Sequence, residues 1–360
     1  LRVPAGLQAL TAHAWPGCSV NQLPDSSLPW LLINGAASSP DWIESVAALT
    51  PGQVIVSKDQ HLVAAFVSPA QAMQWMTGPE HQIPEGIANV DFSSLPLIRR
   101  PWDLHAQLDA TLRHDLAVSD IPVYQRVKPS VAVTGEHPIK VSPTAKLHPM
   151  VVLNAEKGPV VIDDQAVVGS FAVVAGPCYI GKDTIIAPHT HIRALSSIGP
   201  SCVVGGEVSA VVFQGYSNKA HAGYLGNSYV GAWVNLGADT NASNLKNTYG
   251  SVRMSLSDED AAEDSGLSKL GPVIGDFVRT AIGSRLLTGS CISTGAMLAV
   301  SSFAPKFVSR FAFMTDEGSQ SYDMDKFIQT AKQMMSRREI PLSPSMESRL
   351  RDLARIEMNG

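Results

Sequence analysis

An aliphatic residue recurs at every sixth position through the middle of the chain. The series is unbroken from residue 162 to residue 204, and a small or modest side chain follows each aliphatic residue by four positions. If about a quarter of residues were aliphatic, eight in register would arise by chance at roughly the 10⁻⁵ level. The aliphatic positions are Ile162, Val168, Val174, Ile180, Ile186, Ile192, Ile198 and Val204, and the small ones are Ala166, Ala172, Cys178, Thr184, Thr190, Ser196, Cys202 and Val208.

The same spacing occurs on both sides of this run, interrupted by two breaks at residues 211–223 and 240–273. It is found upstream at Val141, Leu147 and Leu153, and downstream in a shifted frame at Tyr224, Val230 and Leu236. A last run places Ile274, Thr280, Leu286, Ile292 and Leu298 at the aliphatic positions and Val278, Ser284, Ser290, Ala296 and Ser302 at the small ones. Loops and function gather where a repeat is interrupted, so the two breaks are the places to look for chemistry.

A period of six residues predicts a parallel β-helix. Each hexad supplies one short strand and a corner, and three hexads close a triangular coil of 18 residues. The aliphatic side chains fill the interior, and the coils stack with the strand spacing of about 4.8 Å. Cys178 and Cys202 occupy small-residue positions, where we expect them to fill the core.

The segments flanking the repeat are mixed α/β at the N-terminal side and helical at the C-terminal side. The patterns predict a strand at residues 30–33 with a turn at Asn34-Gly35, a short helix at 41–49, two strands within 53–66, a helix at 101–116, an irregular linker at 117–136, and amphipathic helices at 321–338 and 345–356. We expect the two C-terminal helices to pack against the β-helix or a neighbouring subunit.

These patterns divide the chain into four expected parts. They are a partial α/β region at 1–98, a linker helix and connector at 99–136, the β-helix at 137–310 and a helical tail at 311–360. The fold class is therefore mainly β.

Composition narrows the class of function. Lys plus Arg is 27 and Asp plus Glu is 32, a net charge of −5 that argues against a nucleic-acid surface. The sequence has no uninterrupted run of 18 apolar residues, so it predicts no membrane-spanning helix. Residues 1–10 lack the pattern of a signal peptide. The four cysteines form no Cys-x-x-Cys pair, so they predict neither a disulfide framework nor a zinc site. We expect a cytoplasmic protein.

The stretch between the two breaks carries a resemblance. Residues 217–240 read SNKAHAGYLGNSYVGAWVNLGADT, which resembles the acetyltransferase half of the bacterial bifunctional enzyme that makes UDP-N-acetylglucosamine. That half is a hexapeptide-repeat acyltransferase with a left-handed β-helix. The match is closer to a GlmU-like branch of sugar nucleotidyltransferases, which shares the runs at residues 215–221 and 235–246 and the Arg-Pro-Trp-Asp at 100–103. The resemblance covers residues 99–338 well and 29–66 weakly.

The resemblance implies an acetyl-CoA-dependent transfer to an amino-sugar phosphate, with His221 as general base. A histidine suits this role because it is largely neutral at physiological pH and can accept the proton of the sugar amine. By the same resemblance Tyr224, Asn235, Lys219, Arg193 and Lys246 bind the substrate, while Ala238, Ser284 and Ser302 bind the coenzyme. Ser284 and Ser302 are one coil apart and are expected to stack. The resemblance also implies a homotrimer with sites between subunits.

The chain departs from the pattern of this family in three places. Ser209 stands where the family has its sugar-phosphate lysine. The loop after Thr240 is longer and carries Asp258, Glu259, Asp260, Glu263 and Asp264, an expected solvated loop. Residues 1–75 contain no glycine-rich phosphate loop with Arg and Lys, so the nucleotidyltransferase part is expected to be incomplete. Mg²⁺ would be needed only if nucleotidyl transfer survives.

Three other functions compete with acyl transfer. A full-length form could be a sugar-1-phosphate nucleotidyltransferase. A metal-dependent hydratase could use His189, His191 and His221, although their spacing does not match the expected trio. A non-catalytic sugar-nucleotide-binding or scaffold protein is favoured by Ser209, but it has no need of the run from His221 to Tyr224.

Overall fold

The computed structural model describes residues 1–22, 27–37, 42–57, 61–77, 88–91, 97–125, 129–259 and 261–359. Backbone proximity divides the chain into two compact units, Leu1–His114 and Asp115–Gly360. The helix Asp103–Val118 leads the chain from the first unit into the second. In the described part of the chain, no helix has the length and apolar character that a membrane crossing requires.

The N-terminal unit contains a four-stranded sheet. Trp30–Ile33 pairs antiparallel with Leu62–Val67, which pairs antiparallel with Gln53–Val56, and Gln53–Val56 pairs parallel with Ala88–Asp91. Apolar residues are buried on both faces of this sheet. The helical elements up to the second unit are a 3₁₀ helix at Ala5–Leu7 and α-helices at Gln8–Ala14, Trp42–Ala47, Pro69–Thr77 and Asp103–Val118. The predicted strand at 30–33, the two strands within 53–66 and the helices near 41–49 and 101–116 are confirmed.

Asn34 ends the first strand of that sheet with a turn made by its own side chain. Its Nδ2 donates to the carbonyl of Leu62 at 2.7 Å, and its Oδ1 accepts from the backbone N–H of Ala36 at 2.9 Å. An asparagine side chain that bonds the backbone two residues on is a usual turn-forming device. The Asn34-Gly35 turn is therefore explained by local hydrogen bonding.

The C-terminal unit is a left-handed parallel β-helix with three strand-bearing faces. The nine-stranded face contains Ile139–Val141, Val160–Ile162, Cys178–Ile180, Ser196–Ile198, Val212–Gly215, Tyr229–Ala232, Val273–Ile274, Cys291–Ile292 and Phe307–Val308. The six-stranded face contains Ala132–Thr134, Val152–Asn154, Val173–Ala175, His191–Ile192, Glu207–Ser209 and Tyr224–Gly226, and the pair Asn241–Ala242 and Arg285–Leu286 follows it. The five-stranded face contains Lys146–Leu147, Val167–Val168, Ile185–Ile186, Val203–Val204 and Asn218–Lys219.

The five-stranded face is continued by bridges through Asn235 to a further sheet. That sheet contains Arg279–Thr280, Met297–Ala299, Ala312–Thr315 and the antiparallel Gly318–Ser321. A small hairpin pairs Arg253–Met254 with Glu263–Asp264 inside the longer second break. Two residues of the acidic cluster thus lie in a hairpin strand, whereas Asp260 lies outside the described residues.

The interior of the β-helix is filled as the hexad pattern predicts. None of the sixteen aliphatic and small side chains between residues 162 and 208 is more than 1% exposed. Buried hydroxyls in the small positions bond backbone carbonyls, for example Thr184 Oγ1 to Gly199 at 2.8 Å. Cys178 and Cys202 are core residues, and burial raises the pKa of the Cys202 thiol to about 11. The repeat and its register are confirmed over this run.

Three details differ from the sequence prediction. Leu225, not Tyr224, points into the coil, because the strand pairing places Leu225 opposite the inward Val208. Ser302, predicted at a small inward position, is exposed, and Ala304 is the buried residue of that coil. The linker at 117–136 was predicted to be irregular, but it contains a strand, Ala132–Thr134, that pairs with Val152–Asn154 as the first strand of the six-stranded face.

A column of aromatic side chains runs along one corner of the later coils. Tyr216, Trp233, Phe277 and Phe311 occupy equivalent corner positions, each with a positive φ. Tyr216 and Trp233 stack with ring centroids 4.5 Å apart, and Trp233 and Phe277 follow at 6.5 Å. Gly295 takes the corner position between Phe277 and Phe311, so the column has a gap there.

The C-terminal helices dock on this aromatic column. Helix Met324–Ser336, capped by the Asp323 carboxylate, inserts Phe327 edge-on against Phe277 and Phe311. Helix Pro344–Asn359 adds Leu350 and Ala354 to the same apolar cluster. The two predicted helices are confirmed, and their packing surface is the β-helix of the same chain.

Gly295→Ala is expected to destabilise the C-terminal unit. An added Cβ would lie 2.4 Å from a ring carbon of Phe311 and 3.2 Å from one of Phe327. We expect a loss of about 1–3 kcal/mol in the free energy of unfolding from this overpacking. Gly283→Ala is the control, because Gly283 has a similar φ of +71° but open space around the added Cβ. Urea unfolding of both variants checks this, and equal losses would contradict the packing role of Gly295.

Candidate active site

His221 lies at a corner of the β-helix, between the strands Asn218–Lys219 and Tyr224–Gly226. Its imidazole is exposed and lines a cavity of about 560 Å³ in the C-terminal unit. Among the residues that the structure describes, none is seen to hydrogen-bond to the ring. The ring is therefore available to a ligand in the cavity.

The cavity has walls from three parts of the unit. Ala238 and Ile282 follow His221 along the same corner, and Val203, Asn218 and Asn235 are outward residues of the five-stranded face and its continuation. Tyr216 and Trp233 contribute the start of the aromatic column. The third wall comes from the end of helix Met324–Ser336 and consists of Met334, Arg337 and Arg338.

Lys219 lies beneath the corner that carries His221. It occupies an inward position, paired with Val204 of the preceding coil, and is 1% exposed. Its ammonium donates to the carbonyls of Gly205 and His221, both at 2.9 Å. Burial lowers the pKa of Lys219 to about 8, and the nearby Asp239 opposes this shift. Lys219 thus ties the backbone of His221 to the coil below.

Two consecutive glycines let the His221 corner approach the preceding coil. A Cβ on Gly205 would lie 2.4 Å from the carbonyl oxygen of Ala220, and one on Gly206 would lie 3.0 Å from both the His221 carbonyl oxygen and the Lys219 Nζ. Gly206 also has a φ of +75°, which favours glycine. The Gly205-Gly206 pair is therefore a steric condition for the backbone position of His221.

The structure brings three of the predicted site residues together. His221, Asn235 and Ala238 line the cavity. Asn235 lies one coil from Asn218, whose Nδ2 is 3.5 Å from the Asn235 Oδ1. Their predicted roles as general base, sugar contact and coenzyme contact remain predictions.

Tyr224 and Arg193 lie on the six-stranded face rather than in the lining of this cavity. The Tyr224 hydroxyl accepts from Asn244 Nδ2 at 3.2 Å and is in hydrogen-bonding contact with Ser209. Burial raises the pKa of Tyr224, partly offset by the charge of Arg193. Arg193 forms an exposed ion pair with Glu207 at 3.0 Å. Tyr224 and Arg193 thus belong to a second polar cluster on the six-stranded face, with Glu207, Asn244 and Ser209.

The other predicted residues have local partners. The Ser284 hydroxyl is buried and donates to the carbonyl of Ala281 at 2.8 Å. Ser302 is exposed. The two serines lie in stacked coils, as their spacing of 18 residues predicts. Lys246 Nζ donates to the Ser251 carbonyl at 2.8 Å. Lys219 is buried, and its ammonium donates to the backbone carbonyls of Gly205 and His221. Ligand binding by these four residues stays a prediction.

The histidines of the alternative metal site lie along the β-helix. His189 stacks on Phe171 with ring centroids 5.0 Å apart, and His191 points outward from the six-stranded face. Within the part of this single chain that the structure describes, no three His, Cys, Asp or Glu residues are grouped as metal ligands.

Arg337 and Arg338 are cavity residues that sequence reasoning missed. Helix Met324–Ser336 is predictable, but the sequence does not say which coil its end will meet. The available signal is a basic pair directly after an amphipathic helix, which is also typical of a solvated helix end. The packing of this helix on the aromatic column brings the pair into the cavity that His221 also lines.

Comparisons with known proteins agree with the two-part organisation. The family model described as "Sugar nucleotidyl transferase" matches residues 7–120, and the one described as "Bacterial transferase hexapeptide (six repeats)" matches residues 159–194. The "Bifunctional protein GlmU" of Picosynechococcus sp. is 29% identical over 137 residues, which cover 38% of this chain and 26% of that protein. Over those residues the chain is similar to GlmU.

The name of a second relative gives two activities. The "Bifunctional sugar-1-phosphate nucleotidylyltransferase/acetyltransferase" of Sulfurisphaera tokodaii is 32% identical over 145 residues, covering 39% of the GlmU-like chain and 35% of the relative. The chain thus spans about a quarter to a third of the length of these relatives. The relatives are transferases.

Among solved structures, the UDP-N-acetylglucosamine O-acyltransferase of Moraxella catarrhalis matches 64% of the GlmU-like chain and 92% of its own chain. The identity is 13% and the TM-score is 0.22.

Lys219→Met is expected to alter the pH dependence of stability. The pKa of Lys219 is about 8 in the folded chain and near 10.5 in the unfolded chain. Between pH 8 and pH 10.5 the unfolded chain therefore binds more protons at this residue than the folded chain does. The wild type should therefore gain stability relative to the variant, by about 1–3 kcal/mol, as the pH rises from 7.5 to 10.

Urea unfolding at both pH values measures this difference. Lys182→Met, at an exposed lysine of the same β-helix, is the matched control for removing one lysine. If wild type and Lys219→Met differ by the same free energy of unfolding at both pH values, the lowered pKa of Lys219 is contradicted.

Proposed function

We propose that the chain transfers the acetyl group of acetyl-CoA to the amino group of an amino-sugar phosphate similar to glucosamine 1-phosphate. The observation that carries this proposal is His221, an exposed imidazole without a ring partner among the described residues, whose backbone is held at the mouth of a cavity. The similarity to bifunctional transferases supports the class of reaction.

In the proposed reaction the sugar amine attacks the thioester carbonyl. A carbon–nitrogen bond forms, the carbon–sulfur bond breaks, and the coenzyme leaves as a thiolate. His221 accepts the proton that the amine loses and then donates it to the thiolate, so the histidine ends the cycle neutral. A positioned base of this kind contributes about 10²- to 10⁴-fold to a rate.

The remaining roles follow the resemblance and belong to the proposal. Asn235 orients the sugar or the imidazole, and Ala238 offers backbone groups to the pantetheine arm, with Ser284 and Ser302 further along the coil. Tyr224 and Arg193, on the six-stranded face, contact the substrate from the other side of the corner. A homotrimer would let these two sets of residues face each other across a subunit boundary.

Sugar nucleotidyl transfer is the second candidate function. It is favoured by the family model that matches residues 7–120. If the N-terminal unit carries this activity, the chain should release pyrophosphate from a nucleoside triphosphate, a sugar 1-phosphate and Mg²⁺. That rate should not change in a His221→Gln variant, because His221 belongs to the other unit. A rate no higher than that without protein would exclude this activity for the chain.

His221→Gln is expected to lower kcat for acetyl transfer by about 10²- to 10⁴-fold, with little change in KM, because the amide cannot accept the proton. Coenzyme release from acetyl-CoA and glucosamine 1-phosphate, followed with a thiol reagent, measures this. His189→Gln is the control, since it removes an exposed histidine from the same β-helix.

The same assay separates acyl transfer from the scaffold alternative. If the wild-type chain binds a sugar nucleotide but releases no coenzyme, a non-catalytic binding protein is the better description. Equal rates for wild type and His221→Gln would exclude His221 as the base.

A further inference from the structure

The end of helix Met324–Ser336 delivers two guanidinium groups to the His221 cavity. The N–H groups of Arg338 and Ile340 both bond the carbonyl of Met335, and Glu339 has a φ of +58°, so the chain turns sharply after the helix. Arg337 and Arg338 precede this turn and line the cavity. Because the helix is anchored by Phe327, the two cations have a defined place.

Arg338 is oriented by the face of the β-helix. Its guanidinium donates to Asn218 Oδ1 at 3.0 Å, and the Asn218 amide is itself directed toward Asn235. Asn218 precedes His221 by only three residues. The side chain of Arg337 is exposed, and its guanidinium N–H groups can donate to a ligand.

The two positive charges have no carboxylate near them in the cavity. None of the lining residues that the structure describes is Asp or Glu. Neither arginine forms an ion pair with a carboxylate of the described residues. The stacked rings of Tyr216 and Trp233 also line the cavity. The cavity thus combines uncompensated positive charge, an aromatic wall and a histidine.

We propose that Arg337 and Arg338 form a phosphate-binding subsite of the His221 cavity. This deepens the proposed function, because it rests on that cavity taking a phosphorylated substrate. A guanidinium presents a planar set of donors that fits two phosphate oxygens at once, and a pair of them matches the charge of a phosphate monoester dianion. The phosphate can come from the sugar phosphate or from the coenzyme, and the experiment below distinguishes these sources.

Arg337→Ala is the variant of choice, because Arg337 is exposed and is not the arginine that ties the helix end to Asn218. We expect its dissociation constant for the bound phosphate ligand to rise about 10- to 100-fold. Arg355→Ala is the charge-matched control, since Arg355 is exposed on helix Pro344–Asn359 and pairs with the exposed Asp352. It should stay within twofold of wild type.

Asn218→Asp is a second variant that keeps the acceptor for Arg338. The new carboxylate neutralises that guanidinium without removing it, so phosphate binding should weaken about 10-fold or more while the helix stays docked. Thermal unfolding checks that the fold of both variants is intact.

Isothermal titration with the full chain uses two pairs of ligands. Glucosamine 1-phosphate is compared with glucosamine, and acetyl-CoA is compared with S-acetylpantetheine, which lacks the phosphates. If Arg337→Ala weakens only glucosamine 1-phosphate, the subsite holds the sugar phosphate; if it weakens only acetyl-CoA, it holds the coenzyme. Unchanged binding of both phosphorylated ligands in Arg337→Ala and Asn218→Asp would overturn the subsite.

Inorganic pyrophosphate separates the subsite from the proposed reaction. It should bind the wild type and His221→Gln alike, more weakly at high salt, and should bind Arg337→Ala at least 10-fold more weakly. If pyrophosphate binds in this way but the wild type transfers no acetyl group, the proposed function is overturned and the phosphate-binding subsite is kept. Acetyl transfer with no pyrophosphate binding and no effect of Arg337→Ala would do the reverse.

Discussion

The column of aliphatic side chains inside the coil determines where every other residue of the β-helix can lie. Each strand is short, from two to four residues, and cannot bury an apolar side chain alone. Stacking coil on coil gives each inward residue apolar neighbours above and below, while the backbone groups of each coil bond those of the next. The outward residues and the corners then have a fixed geometry. The candidate site is built from those corners and outward positions.

Lys219 shows what happens when a charged residue takes an inward position. The hydrophobic stem continues the column above Val204, and the ammonium reaches two backbone carbonyls at the corner instead of water. The cost of burying this charge appears as its lowered pKa. In return the carbonyl of His221 is attached to the coil below, and Gly205 and Gly206 supply the space for it. A buried lysine and two glycines therefore decide the backbone position of an exposed histidine.

The aromatic column at a neighbouring corner connects the site to the C-terminal tail. Gly295 interrupts that column, and the edge of Phe327 occupies the gap between Phe277 and Phe311. Phe327, together with the buried Ile328, Ala331 and Met335, packs the helix along the corner. The end of the helix then lies beside Asn218. Polar groups of the cavity thus come from two distant parts of the chain. Asn218, His221 and Asn235 belong to the β-helix, whereas Arg338 belongs to the helix end and lies 120 residues after Asn218.

The hexad period by itself determined the β-helix, its interior residues and the stacking of residues 18 apart, because each short strand repeats the same inside-outside pattern. Local patterns also determined the first strand of the N-terminal unit and both C-terminal helices. The motif around His221, through its resemblance to the acetyltransferase family, also indicated His221, Asn235 and Ala238 as site residues. The sequence could not show that Leu225 replaces Tyr224 inside the coil. Lys219 pairs with Val204, which is 15 residues earlier instead of 18, and this shorter coil shifts the strand pairing that follows. Nor could the sequence place Arg337 and Arg338 in the cavity, because that follows from long-range packing of Phe327 over Gly295, which no local pattern encodes.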